Sequence, residues 1–202
     1  AGLLAAPLGP SAQVRLEAAV PLATPLRLEI DAEGTSLWDG DRRLATGLAH
    51  DGPAAAVPGV PFADAEVTVG VTADEHPFPR CFVCGPAATH GMHLCVGPVA
   101  DGSAMAMTWQ PDPADTGLDL RGLAWGALDC PSGMAIMRDG TPCVLGTLTG
   151  RIVRPLVTGE DLVVVGRHLR TEGRKRFAAT ALYDATGEAV AWSEATWIAL
   201  AV

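Results

Sequence analysis

An internal repeat constrains the fold of this chain more than any other feature of its sequence. Residues 20–30 (VPLATPLRLEI) are similar to residues 154–165 (RPLVTGEDLVVV), since each has Pro-Leu-x-Thr before an alternating apolar run. Residues 36–49 are similar to residues 181–196, with Leu-aromatic-Asp, a polar turn and an apolar residue before Ala. Such alternation predicts strands, and the Asp-Gly and Ala-Thr-Gly turns predict hairpins. The chain therefore contains two related antiparallel units.

The second unit shows its element order clearly. Alternation predicts two early strands around the turn at 100–102 and, after a loop over 111–119, a helix over 121–137 with Asp119 as its N-cap. Later strands follow at 144–153, 161–170, 174–184 and 189–201, and the two early strands lie at 91–97 and 103–110. One apolar helix followed by antiparallel strands, twice over, is the element order of a paired hotdog, an α+β fold in which a sheet wraps around a central helix.

The repeat also predicts the domain organisation. Residues 1–50 form a partial N-terminal hotdog half, because the alignment of the two copies starts the first one part-way through its helix. Residues 51–79, rich in Pro, Gly and Ala, form a connecting segment in which 62–69 could add a short element. Residues 80–202 form a complete C-terminal hotdog. Either residues are missing upstream of Ala1 or the first half is degenerate.

Composition excludes several classes of partner. The chain has 202 residues and a net charge of −9, which disfavours binding to a phosphate backbone. No apolar run is as long as a membrane span, and the start lacks the basic region of a signal peptide. The sequence therefore predicts a cytoplasmic protein without nucleic-acid or membrane partners. Five cysteines, an odd number, argue against a disulfide framework.

The helix over 121–137 carries the best candidate for chemistry. Asp129 is the only ionisable side chain between Arg121 and Arg138. A buried carboxylate without a partner is costly, so a chain that keeps one usually gives it a partner or a role. Ser132 lies one turn further on, and Pro131 predicts a kink. The structural alternative is a carboxylate capped by a nearby hydroxyl or backbone amide.

The helix resembles that of the phenylacetate-degradation type of hotdog thioesterase. In that family His-Gly-Gly opens the helix, an amide at its start polarises the thioester carbonyl, and an acid within two turns is the general base or nucleophile. By position the resemblance makes Asp129 the acid, while Arg121 and Gly122 take the places of the glycines and Leu120 that of the histidine. Chemically this is sensible, since a helix N-terminus stabilises a developing oxyanion.

Four motifs extend the resemblance over nearly the whole chain. They are HPFPRCFVCGP, the WxPD of residues 109–112, ALDCPSG at 127–133 and TALYDATG at 180–187. They resemble those of uncharacterised tandem-hotdog proteins of actinobacterial type that are assigned to the thioesterase family. The resemblance implies membership of the hotdog thioesterase superfamily and leaves the substrate open.

Three further features each allow a structural and a functional interpretation. The Cys-x-x-Cys pair, Cys81 and Cys84, could bind zinc together with His90 and His93, or it could be a redox pair. The sequence favours a third interpretation, two small thiols in a tight turn. No metal is therefore assigned. Trp125, one turn before Asp129, is either a core residue or a substrate contact. The basic cluster at 167–176 either protects a strand edge or holds coenzyme A phosphates through Arg170, Arg174 and Lys175.

These observations predict a hydrolase of acyl-CoA or a related thioester. Asp129 would be base or nucleophile, Arg121 and Gly122 the oxyanion site, and Trp125, Ser132 and the arginines substrate contacts. Coenzyme A would enter as part of the substrate, without a separate cofactor, and a homodimer is one expected assembly. The alternative is a non-catalytic module that binds an acyl or CoA group, favoured by Leu120 and by the lack of a second polar catalytic partner. A hotdog hydratase ranks third, because its Asp/His pair is not evident.

Overall fold

The computed structural model describes residues 1–114 and 116–200. The first part contains helix α1 (Gly2–Ala5), a 3-10 turn (Ala6–Leu8) and strands β1 (Ser11–Leu16), β2 (Arg27–Ile30), β3 (Thr35–Asp39) and β4 (Arg42–Ala49). A short helix, α2 (Phe62–Glu66), lies in the connecting segment. The second part contains β5 (Gly97–Pro98), β6 (Met105–Trp109), α3 (Leu120–Ala127), α4 (Cys130–Ile136), β7 (Cys143–Ile152), β8 (Leu162–Glu172), β9 (Lys175–Asp184) and β10 (Ala189–Ala199).

All the strands belong to one antiparallel sheet in the order β2-β3-β4-β1-β7-β10-β9-β8-β6-β5. The order is mirrored about the seam between β1 and β7, since β4, β3 and β2 follow on one side as β10, β9 and β8 do on the other. Val14 lies opposite Leu148 at the seam, and both are fully buried. Gln13 Nε2 also donates to Thr149 Oγ1 at 2.9 Å, so the two halves share one continuous sheet.

Helices α1, α3 and α4 pack on one face of this sheet and bury the main core. Helix α2 packs on the other face, where Ala65 joins a second buried cluster with Val163 and Val165 of β8. Helix α4 lies across β8 and β9, and α1 packs against α3. The approach is close at Gly166 of β8, where a Cβ atom would lie 2.1 Å from the carbonyl oxygen of Pro131. Trp125 and Leu128 fill the centre of the core. A residue without a side chain at position 166 therefore lets the start of α4 rest on the sheet backbone.

The predicted helix over 121–137 is two helices with a break at Leu128 and Asp129. Pro131 explains the break, because its ring would clash with the carbonyl of Ala127 in a continuous helix and it donates no hydrogen bond. It fits the first turn of α4 instead. The predicted N-cap is confirmed, since Asp119 Oδ1 accepts from the Gly122 N–H at 2.7 Å. The sequence thus predicted a kink, and the structure has a full interruption.

The predicted strand over 91–97 is wrong for all but its last residue. The chain from Gly91 to Val96 is irregular, because His93 has a φ of 51° and cannot continue an extended strand. Its backbone pairs instead with the cysteine loop, residues 78–88, as the Met92 and Leu94 amides donate to the carbonyls of Phe82 and Val83. The segment therefore braces that loop rather than extending the sheet. The other predicted strands of this half are present within a few residues, and residue 201 of the last one lies outside the described residues.

The connecting segment follows the sheet closely. Trp192 Nε1 donates to the Pro53 carbonyl at 2.9 Å, Arg167 Nε donates to that of Pro58 at 3.0 Å, and the Tyr183 hydroxyl donates to that of Val57. Carbonyls of an irregular segment are thus satisfied by side chains of the sheet. None of the helices in the described part of the chain is both long and apolar enough to cross a bilayer.

Candidate functional site

The first turn of α3 lies beside an apolar cleft. Leu120, Arg121 and Ala124 line a cavity of about 300 Å3 together with the chain from Ile152 to Leu156. Arg121 is exposed, and its N–H has no acceptor within the helix because it lies in the first turn. The Gly122 N–H already donates to Asp119, so it is not available to a ligand in this conformation. The start of α3 therefore offers fewer donors than the sequence predicts.

Asp129 lies at the break between α3 and α4. It caps α4 by position, yet its side chain makes no capping hydrogen bond to that helix. Part of the residue remains accessible to solvent, although protein atoms surround the carboxylate densely enough that burial raises its pKa to about 6. The structure therefore places this carboxylate in a confined but not sealed position.

Asp129 and the start of α3 are not brought together within the chain. They are separated by the length of α3, and eight residues of helix span about 12 Å. A carbonyl oxygen that accepts from the Arg121 or Gly122 N–H would therefore lie too far from the Asp129 carboxylate for its carbon to react there. The predicted oxyanion site and the predicted acid occupy different places.

Hydroxyl groups satisfy the backbone that the helix break exposes. Ser193 Oγ donates to the Leu128 carbonyl at 2.7 Å, and Ser132 Oγ donates to the Asp129 carbonyl at 2.8 Å. Thr180 Oγ1 accepts from the Ser132 N–H at 3.0 Å. Ser132, predicted as a substrate contact, is fully buried and its hydroxyl also accepts from Trp197 Nε1. Ser132 therefore links the break between α3 and α4 to the strands β9 and β10.

Trp125 lies in the core rather than beside a cleft. Its side chain is fully buried, and a Cβ atom on Gly150 of β7 would lie 2.6 Å from its ring. The indole Nε1 has no hydrogen-bond partner among the described residues. A substrate could reach Trp125 only if the surrounding residues moved.

The predicted phosphate contacts lie at the far end of the helix pair. Arg170, Arg174 and Lys175 occupy the β8–β9 hairpin, whose Arg176 donates to the Ile136 carbonyl at the end of α4. Arg170 stacks on the Phe177 ring and pairs with Glu172, while Arg174 Nε donates to the Ala199 carbonyl at 3.0 Å. The structure thus separates these side chains from Arg121, which lies at the beginning of α3.

Three cysteines converge at the helix break. Cys81 Sγ and Cys130 Sγ are 3.6 Å apart, and the sulfurs of Cys81, Cys84 and Cys130 all lie within 4.8 Å of one another. His90 and His93, which the sequence offered as partners of the Cys-x-x-Cys pair, are exposed and outside this group. Hydrogen bonds from the Cys130 and Cys84 thiols hold the pKa of Cys81 well below its usual range. Cys130 lies next to Asp129 in the sequence, but it was not among the metal ligands that the sequence predicted.

The chain is similar to known proteins in structure but not in sequence. No protein-family model matches the chain, and no curated protein matches its sequence. A tesB protein of Mycobacterium avium subsp. paratuberculosis has a similar structure, with a TM-score of 0.60 and 12% identity over 95% of this chain and 78% of that one. An acyl-CoA thioesterase II of Mycobacterium marinum matches with a TM-score of 0.54 and 12% identity over 95% and 80% of the two chains.

A protein with a hotdog fold from Alicyclobacillus acidocaldarius gives a TM-score of 0.54 at 14% identity, over 95% of this chain and 78% of that one. At identities this low, structural similarity shows a shared fold but does not show a shared chemistry. The mirrored antiparallel sheet and the helices α1, α3 and α4 on one of its faces agree with that architecture. The chain has the hotdog fold.

Proposed function

We propose that this protein hydrolyses an acyl-CoA or a related acyl thioester, with Asp129 as the reacting carboxylate. The observation that carries the proposal is the position of Asp129, confined at the helix break, partly accessible, and not used as a helix cap. Two of the similar structures are a tesB protein and an acyl-CoA thioesterase II, which favours this class of reaction over others that the fold supports.

The proposed reaction uses the carboxylate in one of two ways. Asp129 attacks the thioester carbon, expels the thiolate and forms an anhydride that water then cleaves, or it takes a proton from a water that attacks instead. Either way the carbonyl oxygen gains negative charge and needs a donor. Because the start of α3 is about 12 Å away, we expect that donor from the first unit, whose helix α1 packs against α3.

The other predicted substrate contacts would bind different parts of the substrate. The cleft at Leu120 and Arg121 would hold an apolar part of the substrate away from the reacting carbonyl. Arg170, Arg174 and Lys175 would contact the phosphates of coenzyme A, since guanidinium groups match phosphate geometry. Substituting Arg174 and Lys175 together by Ala should then raise KM with little change in kcat, and an unchanged KM would remove them from the site.

The sheet order supports a tandem arrangement of two hotdog units. We propose that residues 1–50 and 80–202 are the two units and that residues 51–79 connect them. The support is the mirrored strand order about the β1–β7 seam. A protein that acts on acyl-CoA would work in the cytoplasm, and we propose a homodimer formed through sheet edges as its assembly.

A binding module is the second candidate. Leu120 stands at the helix start, the Gly122 N–H is engaged by Asp119, and Trp125 is buried, so the chain lacks several features of the predicted catalytic site. Such a protein would hold an acyl or CoA group without turnover. The two candidates differ in a single measurable property, the release of free thiol.

The first experiment measures free thiol from short, long and aromatic acyl-CoAs. Hydrolysis of one class is expected, and Asp129→Asn should lower kcat by about 100-fold or more, because the carboxylate takes part in bond making. Asp64→Asn, the same change at an exposed aspartate, serves as control and should leave kcat unchanged. Equal turnover in Asp129→Asn and the wild type would contradict the mechanism. No turnover, combined with a higher melting temperature in CoA, would favour the binding module.

A further inference from the structure

The three converging cysteines lie outside the proposed reaction and point to a separate property. We propose that Cys81, Cys84 and Cys130 together bind one zinc ion, which fastens the cysteine loop, defined as residues 78–88, to the start of α4. This inference does not rest on the proposed function. It would hold equally for a thioesterase and for a binding module.

The sulfur positions match a tetrahedral site. Zinc binds thiolates at about 2.3 Å, so two sulfurs on neighbouring corners of a tetrahedron lie about 3.8 Å apart. The distance of 3.6 Å between Cys81 Sγ and Cys130 Sγ is close to this value, and all three sulfurs lie within 4.8 Å of one another. A disulfide would need sulfurs about 2.05 Å apart. Small movements of the side chains would therefore bring all three sulfurs to zinc-binding distance.

The cysteine loop holds the backbone of Cys81 in a defined turn. The Gly85 N–H donates to the Cys81 carbonyl at 2.8 Å, and the Cys81 N–H donates to the Phe78 carbonyl at 2.9 Å. A thiolate is the form of cysteine that binds metal. The Phe82 and Val83 carbonyls are held in turn by the amides of Met92 and Leu94. The sulfur of Cys81 is thus positioned in advance.

His76 supplies a second, independent observation. The ring is buried, and its Nδ1 accepts from the Phe78 N–H at 2.9 Å, so in the neutral ring the proton is on Nε2. That Nε2–H has no acceptor among the described residues. Phe78 begins the cysteine loop, and its carbonyl accepts from the Cys81 N–H at 2.9 Å, so the His76 ring is held beside the turn that carries Cys81. A metal-bound thiolate would give this orphan donor the acceptor it lacks, as outer groups do around many metal sites.

The charge of the cluster also favours a cation. Three thiolates cannot remain ionised beside one another without a positive charge between them. Thiolate ligands select soft or borderline metals, and a tetrahedral set of them suits zinc. Three cysteines leave the fourth position to a further ligand.

The test is the metal content of the purified full chain, measured by mass spectrometry of the elements. About one zinc per chain is expected, given three thiolate ligands. Cys81→Ser and Cys130→Ser should each lose most of it, while Cys143→Ser, a matched change at a buried cysteine outside the cluster, should keep it. Equal zinc in all three variants, or zinc in none of the proteins, would overturn the site.

A second measurement covers variants that fail to fold. Cobalt(II) added to the wild-type chain after removal of its metal should give thiolate-to-cobalt charge-transfer absorption and a higher melting temperature, since the metal binds only the folded chain. Absence of that absorption would contradict the proposal. So would a Cys81–Cys130 disulfide found in the non-reduced protein, because oxidised sulfurs cannot bind zinc as thiolates.

Discussion

At the scale of single residues, hydroxyl groups and small side chains decide what the interior can accommodate. The break at Leu128 and Asp129 frees backbone carbonyls inside the protein, and buried carbonyls without donors are costly. Ser132 and Ser193 donate to these two carbonyls. Both serines are almost completely buried, which is unusual unless a polar side chain has a partner. The interrupted helix is therefore stable because specific side chains replace the missing helical bonds.

Gly85 should be essential for the cysteine loop. A Cβ atom there would lie 2.4 Å from the Cys81 nitrogen and 2.6 Å from the Cys81 and Pro79 oxygens, so Gly85→Ala forces backbone atoms to move. We expect a loss of about 2–3 kcal/mol in the free energy of unfolding, measured with urea. Gly159→Ala is the comparison, because position 159 has a positive φ but open space. It should cost only about 1 kcal/mol. Equal losses in the two variants would show that the close approach is not what constrains Gly85.

At the scale of elements, side chains at the ends of α3 and α4 fix where these two helices begin and end. Asp119 caps α3 through the Gly122 amide, and Pro131 starts α4 after the break. The end of α4 is tied to β9 by Arg176, which donates to the Ile136 carbonyl and pairs with Asp139. Helices α3 and α4 are thus each defined by one local signal at the start, and α4 also by one tertiary contact at its end.

The Arg176–Asp139 pair predicts a pH dependence of stability. The Arg176 guanidinium holds the pKa of Asp139 well below its usual range. A carboxyl group whose pKa is lower in the folded state stabilises the protein above its unfolded pKa of about 3.9, and this contribution is lost as the pH falls through the folded pKa. Arg176→Gln should therefore destabilise the protein near neutral pH, and its difference from the wild type should shrink below a pH of about 4.

Urea unfolding at several pH values measures this difference. Asp139→Asn is the matched control, because it removes the titrating group and should lose stability near neutral pH with little further dependence on this pair. The Asp139 side chain is half exposed, so solvent screening keeps the effect modest. A difference between Arg176→Gln and the wild type that stays constant with pH would contradict the assignment.

At the scale of the whole molecule, the β1–β7 seam joins the two halves. Ser11 Oγ donates across it to the Gly150 carbonyl at 3.1 Å, and Val14 faces Leu148 in the core. The hydrophobic core runs from α1 and β1 through α3 to β10 without interruption. We therefore expect both halves to unfold together.

Val14→Ala tests this expectation. The side chain is fully buried, so removing two methyl groups and leaving a cavity should cost about 2 kcal/mol. Fluorescence of the tryptophans in both halves and circular dichroism should give one coincident transition at a lower urea concentration. Val157→Ala, the same change at an exposed position, should alter stability by less than about 0.5 kcal/mol. Separate transitions for the two halves would show that the seam does not couple them.

Local patterns in the sequence predicted most of the fold. Alternating residues predicted six strands of the second half, of which five are present, and the Asp-Gly turn predicted the β3–β4 hairpin. Asp119 was predicted as an N-cap and was confirmed. These features depend on neighbours within a few positions, so the sequence contains their physical cause. The strand over 91–97 was wrong because its backbone pairs with the cysteine loop, which alternation cannot show.

The sequence by itself determined the order of the elements, the internal repeat and the conspicuous carboxylate at Asp129. Only the tertiary structure decided which side chains meet. It brought Cys130 to Cys81, 49 positions away, and left His90 and His93 exposed. It buried Trp125 in the core. Distances between residues far apart in the chain depend on how helices pack across a sheet, and no local pattern contains that information.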